Sequence, residues 1–328
     1  MTEKLKPLFS FVLRFGLSFA LLWLIFHFQK IDLGKITTVL KSADIGYLLT
    51  AGIFFVILNF VLLLRWFVYV WALELAAPVK VVTRYFFIGL FGNLFLPTSI
   101  GGDVIKILGL CQYTPQKPKV VASVLLDRLS GFAGIVILAI GAFAVGFRLI
   151  NDVTMLVSIG LLALLSIFVG TLLFNEKLFS FFCQVFNRLP KIKKAFMNLH
   201  QDVALLKGRQ YALYQGVGLS VLAQILAATF FFLIGKALQA NIALIYFLIF
   251  VPLIGVASSV PSIGGLGVRE AGMVYFLGKV GVRPETAVSI GLLNFFFMVL
   301  VGLIGGLVYL LTKNAPVPVA PAGVGLNA

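Results

Sequence analysis

Acidic residues, histidine and cysteine are all scarce in this sequence: 11 Asp and Glu, two His and two Cys among 328 residues. Cys111 and Cys183 have no histidine placed to pair with them, which argues against both a disulfide framework and a zinc site. His27 and His200 stand isolated and the carboxylates fall into no metal-ligand spacing, so nothing calls for a metal or any other cofactor. No G-x-x-x-x-G-K-[ST] loop occurs, which argues against direct use of ATP. Charge of either sign is thin as well, at 11% of residues, while 61% are hydrophobic. A water-soluble domain cannot hide that much apolar surface.

What is present is a series of long apolar runs. Residues 8–28, 46–73, 120–147 and 286–311 are apolar around nearly the whole helical circumference, not along one stripe. With 153–174 and 211–235, each reaches the roughly 20 residues that cross about 30 Å of hydrocarbon. The first run contains Arg14 and has no small-residue cleavage site before Gln29 and Lys30, so it reads as a retained span and not a signal peptide. The expected class is an all-α integral membrane protein of six to eight transmembrane helices.

The net charge of +15 fits membrane orientation and anionic lipid better than nucleic acid, because no soluble domain carries a basic face. Lys177, Arg188, Lys191, Lys193, Lys194, Lys207 and Arg209 make the densest basic loop, which the positive-inside bias assigns to the cytoplasm. Counting spans from there puts both termini in the cytoplasm and leaves the 29–45 loop outside, despite Lys30, Lys35 and Lys41. Within 175–210, Phe179, Phe182, Phe186 and Leu189, then Ile192, Phe196, Leu199, Val203 and Leu206, recur at helical spacing. That pattern suits helices lying in the headgroup plane, or helices packed on the bundle. The uncharged Pro- and Gly-rich tail 315–328 reads as disordered, leaving 1–314 as a single transmembrane domain.

Two apolar stretches are interrupted alike. Pro97-Thr98-Ser99-Ile100-Gly101-Gly102-Asp103 and Pro261-Ser262-Ile263-Gly264-Gly265-Leu266-Gly267 both carry Ser-Ile-Gly-Gly just after a proline. Proline removes a backbone donor and each glycine costs about 1 kcal/mol in a helix, so neither stretch runs through unbroken. Residues 85–96 would rise about 18 Å, to mid-membrane, and a re-entrant hairpin follows. Val121-Ala122-Ser123-Val124-Leu125-Leu126-Asp127 succeeds the first break and Ala287-Val288-Ser289-Ile290-Gly291-Leu292-Leu293-Asn294 the second. Each half then reads span, span, broken hairpin, span, predicting two inverted repeats, about 8–147 and 153–312, as in alternating-access transporters. Residues 243–280 also admit two full spans, and the glycine pairs also admit close helix packing as their only role.

Charges inside these runs mark a candidate site. Asp127 and Arg128 lie well inside a span, where an unpaired charge costs at least about 2.5 kcal/mol. Asp103 and Lys106 follow the first glycine pair, Arg269 and Glu270 the second, and Arg65 sits deep in the 46–73 run. Half-helix N-termini at Gly101, Gly102, Gly264, Gly265 and Gly267, lined by Asn93, Ser99 and Ser262 and flanked by Arg128 and Arg269, would hold a phosphate-bearing headgroup. Structural readings stand beside these. Asp103 is placed to cap a helix over 104–111, the neighbouring charges could form structural ion pairs, Arg65 could snorkel, and Asn59, Asn93 and Asn294 could join helices. Adjacent residues on a helix point some 100° apart, so Asp127 and Arg128, and likewise Arg269 and Glu270, are expected to take different partners.

At these residues the chain resembles the flippase-like family named for the transmembrane region of bacterial lysylphosphatidylglycerol synthase. The resemblance rests on Gly92-Asn93-Leu94-Phe95-Leu96-Pro97 with Gly101-Gly102-Asp103-Val104-Ile105-Lys106, on Ser123-Val124-Leu125-Leu126-Asp127-Arg128-Leu129-Ser130-Gly131, and on Pro261 through Glu270. Arg65-Trp66 resembles the family's second-span motif, while Lys106 stands where many members carry arginine, keeping charge but losing bidentate geometry. The resemblance implies the bacterial inner (plasma) membrane and a part in moving a phospholipid or polyprenyl-linked lipid between leaflets. Two-part members add a soluble domain that makes an aminoacylated lipid; none is expected after Leu311, so the resemblance implies no synthase activity. An intramembrane transferase using Asp127 or Glu270 as base, and a scaffold in envelope biogenesis, are the alternatives.

Overall fold

A computed structural model describes residues 32–95, 101–146, 209–258 and 265–312, with single positions at 23, 24, 26, 27, 157, 160 and 164. The 8–28 and 153–174 runs, the 175–208 loop, the 315–328 tail and the tips of both proline-glycine breaks lie outside those residues. The described residues are helical throughout: α1 Leu33–Lys41, α2 Ile45–Ala72, α3 Val79–Phe95, α4 Gly101–Leu110, α5 Lys117–Gly146, α6 Gln210–Ala237, α7 Leu244–Ala257, α8 Val268–Gly278 and α9 Pro284–Thr312.

Four of them, α2, α5, α6 and α9, are long and apolar enough to cross a membrane. Their ends follow local chemistry. Asp44 caps α2 by accepting from the Tyr47 amide at 3.1 Å, and Pro284 opens α9, where a missing amide donor costs nothing. The remaining apolar helices come in two short pairs. At about 1.5 Å per residue, α3 with α4 and α7 with α8 give arms of roughly 15–25 Å, each less than a full crossing.

Both pairs fold back on themselves. In α3–α4, Tyr85 donates to Gln112 at 3.4 Å across the open end, and Gly89 lies against Gly102 near the closed one. In α7–α8, Phe250 stacks on Phe276 with centroids 5.4 Å apart and Gly272 lies under Ile254. The first arm is longer than the 85–96 segment expected from sequence. Its helix starts at Val79, just after Pro78, because Lys80 and Arg84 reach the rim, where Arg84 Nη2 donates to the Thr312 carbonyl at 2.6 Å. A further helix, α1, occupies the loop outside the sequence-derived spans; Asp32 caps it, Ile36 is buried, and Lys35 Nζ lies 3.7 Å from Glu285 of α9.

The most extensive contact is between α2 and α6, which run antiparallel. At one end the Asp44 amide donates to the Ala237 carbonyl at 2.9 Å; at the other the Arg209 guanidinium donates to the Ala72 carbonyl. Trp71, Tyr211, Tyr214 and Tyr309 are exposed at that second end, as aromatic residues are at a membrane–water boundary. Around this pair, α3 packs on α9 and α7 packs on α5. Two apolar cores result, one around Phe55, Phe230, Phe247 and Ile290, the other around Trp66, Tyr69, Val82 and Leu110. On α5 the polar residues Asp127, Arg128 and Ser130 fall between them.

The α3–α9 seam depends on glycine. A Cβ on Gly305 would lie 2.0 Å from the Phe87 carbonyl oxygen, so backbone would have to move. Gly305→Val is expected to cost about 1–3 kcal/mol or more by forcing the helices apart, whereas Gly141→Ala, with nothing within 4 Å, should leave thermal unfolding in detergent unchanged or raised by up to about 1 kcal/mol.

Candidate functional site

The break before α4 brings three charges together. Asp103 lies in the first turn of α4, two residues inside the helix, so it is not the helix cap that sequence suggested. With its backbone role gone, the carboxylate serves side chains: Oδ2 accepts from Arg128 Nε of α5 at 2.5 Å and Oδ1 lies 3.5 Å from Lys106 Nζ. Asp103 and Lys106 are buried, and the Lys106 ammonium stands 5.1 Å from the Trp66 ring centroid and 5.0 Å from that of Phe86. Rings at that range attract a cation through their quadrupoles. Asn93 of α3 accepts from the Gly102 amide at 2.8 Å, bearing out its expected role of joining helices and occupying a donor expected for a headgroup.

Arg128 differs from the other charges here. Its side chain is 41% exposed, against 7% for Asp103 and 10% for Lys106. It lies eight residues, about 12 Å, past Val120, where the apolar stretch of α5 begins after Lys117 and Lys119, so it falls inside the hydrophobic run and not at its end. Phe132, one turn further on the same face, is exposed too.

A second group joins the long helices. Arg65 does not snorkel: it is buried, its Nε donates to Asp127 Oδ1 at 2.6 Å, and its Nη1 donates to Ser220 Oγ at 3.2 Å. The joint therefore ties α2, α5 and α6. Trp66 Nε1 donates to Ser123 Oγ at 3.3 Å beside it. Asp127 and Arg128 do take different partners, as their angular separation on α5 requires. Asn59, expected to join helices, instead donates to the Phe55 carbonyl of its own helix at 2.8 Å.

The third group surrounds the break before α8. Gly265 and Gly267 have φ of +81° and +88°, a left-handed backbone that only glycine adopts cheaply. Glu270 is fully buried, and its Oε2 accepts from the Gly267 amide at 2.6 Å. Its Oε1 accepts from Arg269 Nη2 at 2.9 Å and Nε at 3.2 Å. Here the expectation of separate partners fails. Both residues lie in the first turn of α8, so Glu270 curls back to the helix start, where the long Arg269 side chain meets it. With its amide oxygen turned to the donors, Asn294 of α9 accepts from Arg269 Nη1 at 2.6 Å, and Met298 Sδ lies 3.3 Å from the same nitrogen.

The sequence-derived candidates thus divide into three clusters: Asn93, Gly101, Gly102, Asp103, Lys106 and Arg128; Arg65 and Asp127; Gly265, Gly267, Arg269 and Glu270. Ser99, Ser262 and Gly264 lie outside the described residues. Sequence reading missed Ser220, Phe86 and Met298 as partners. Ser220 alone left a trace, as a small polar residue one turn beyond Gly216 in an apolar span. Among the described residues no group of three or more His, Cys, Asp or Glu could hold a metal ion.

Long apolar helices with ion pairs buried between them define a multi-pass, all-helical membrane protein. The chain belongs to the lysylphosphatidylglycerol synthase transmembrane-region family, whose model matches residues 11–306. No curated protein matches it.

Proposed function

We propose that the chain is a lipid translocase of the bacterial inner membrane, moving a phosphate-bearing or anionic headgroup between leaflets while the acyl chains stay in the bilayer. The observation that carries this reading is Arg128, a partly exposed guanidinium well inside the apolar run of α5, on the same face as the exposed Phe132. Asp103 supplies its counter-charge in this structure, and a phosphodiester offers the same guanidinium a bidentate acceptor that can take that place. Asp103, Lys106 and Asn93 hold that site from behind. The Arg269–Glu270 cluster is its shielded counterpart, at a similar depth in the other half.

In this reading 1–314 is one domain of two inverted repeats, with α3–α4 and α7–α8 as re-entrant hairpins and both termini cytoplasmic. The antiparallel α2–α6 pair supports it, since equivalent spans of inverted halves must run oppositely. So does the exchange of partners, with the first arm of each hairpin packed on the closing span of the other half. The substrate is a membrane phospholipid or a polyprenyl-linked lipid.

The test is reconstitution in phosphatidylethanolamine–phosphatidylglycerol vesicles with fluorophore-labelled phosphatidylglycerol, following access of a membrane-impermeant quencher to the inner-leaflet label. Arg128→Gln is expected to slow exchange at least about tenfold with unfolding unchanged. Exchange by Arg128→Gln at the wild-type rate would sink the headgroup reading. A covalently altered lipid recovered from the vesicles would favour a transferase instead.

A further inference from the structure

We propose that Asp103 is an exchangeable counter-ion that occupies the headgroup's place on Arg128 and is handed to Lys106 when the headgroup arrives. This rests on the reading that Arg128 binds a lipid phosphate, and adds how that site is loaded and emptied.

The geometry divides one carboxylate between two cations of different exposure. Asp103 Oδ2 is 2.5 Å from Arg128 Nε, while Oδ1 is 3.5 Å from Lys106 Nζ, beyond direct hydrogen bonding. Lys106 is mounted one turn along the same helix as Asp103 and is held between Trp66 and Phe86. It is buried and cannot reach out to a lipid. Arg128 belongs to another helix and its side chain is 41% exposed. The exposed cation is the one a headgroup can meet, and the buried cation stays with the carboxylate.

A phosphate competes with Asp103 for the same guanidinium. Were Arg128 the sole partner, its departure would strand a buried carboxylate, which is strongly unfavourable. Lys106 removes that obstacle, because a shift of Asp103 by less than 1 Å converts the 3.5 Å approach into a direct ion pair. The reverse exchange expels the headgroup, since Asp103 reclaims Arg128. Lys106 and Asp103 are therefore positioning residues that set how tightly lipid binds and how fast it leaves. Lysine suits the role better than arginine, whose fork would hold the carboxylate at both oxygens and leave Arg128 without it.

The experiment measures binding of labelled phosphatidylglycerol to the purified full chain and its exchange in vesicles, in Asp103→Asn, Lys106→Met and the double variant. Asp103→Asn is expected to bind about tenfold more tightly and exchange about tenfold more slowly, because the carboxylate no longer competes for Arg128. Lys106→Met should bind about tenfold more weakly in the wild-type background and less than about threefold more weakly beside Asp103→Asn, the coupling expected of one network. With Trp23 and Trp71 replaced by phenylalanine, Trp66 emission should change on lipid addition as the Asp103 carboxylate closes on the ammonium beside its ring, and should not change in Lys106→Met. Weaker or unchanged binding by Asp103→Asn, or equal Lys106→Met effects in both backgrounds, overturns the exchange. If Asp103→Asn does not fold, an unresponsive Trp66 overturns it and a responsive one that Lys106→Met silences upholds it. Wild-type binding and exchange by Arg128→Gln would instead mark the failure of the headgroup site itself.

Discussion

Glu270→Ala should leave little folded protein at temperatures the wild type tolerates, the largest loss expected from any single side chain described here. Its carboxylate is fully buried and receives the Gly267 amide and two Arg269 nitrogens. Removal takes away the buried counter-charge of Arg269 and leaves Asn294 and Met298 as neutral contacts. Breaking one side of such a pair costs about 3–5 kcal/mol. The lost cap on the first turn of α8 adds about 1 kcal/mol. Glu270→Gln separates the two terms, because an amide oxygen still accepts from Gly267 while the charge is gone. Thermal unfolding in detergent should rank wild type, then glutamine, then alanine. An alanine variant as stable as wild type would show that Arg269 finds water, and the cluster would be an open site.

Asp127→Ala is expected to cost a similar 3–5 kcal/mol, and here a compensating change exists. Arg65 would keep only Ser220, a neutral partner at 3.2 Å, inside the joint of α2, α5 and α6. Replacing both charges together, as Arg65→Met with Asp127→Leu, removes the stranded ion and refills the volume, so stability should return to within about 1–2 kcal/mol of wild type. The double variant should also keep lipid exchange, since this joint holds the helices and takes no headgroup. The contrast with Arg128→Gln is the informative one. One change unfolds the protein and is rescued by a second; the other leaves folding intact and stops exchange. If the double variant remains as unstable as the single one, the pair is needed for its specific geometry and not only for charge balance.

Much of the architecture was legible along the chain. The runs at 46–73, 120–147, 211–235 and 286–311 correspond to helices α2, α5, α6 and α9 within three residues at each end. The family followed from three short motifs in order, and its model spans residues 11–306. Both Ser-Ile-Gly-Gly stretches were legible as interruptions, but their glycines act differently: Gly265 has a positive φ in the second, whereas Gly101 and Gly102 lie inside the first turn of α4 in the first. What each charge does was not legible. Arg65 was open to snorkelling because its depth is visible in sequence but its partner is not. The Asp103 capping expectation failed because the helix already includes Gly101, three residues before the expected start at Val104, and Asn93 of another helix takes the Gly102 amide.

Sequence alone determined that this is a membrane protein, that the runs at 46–73, 120–147, 211–235 and 286–311 are helices long and apolar enough to cross, and where its helices stop, since hydrophobic length and backbone permissiveness are local properties of consecutive residues. Tertiary structure alone decided which charge meets which: Arg65 finds Asp127 at a separation of 62 residues and Ser220 at 155. Such pairings are set by how helices pack. That packing made Arg128 the accessible cation of its cluster and left Lys106 and Asp103 buried behind it.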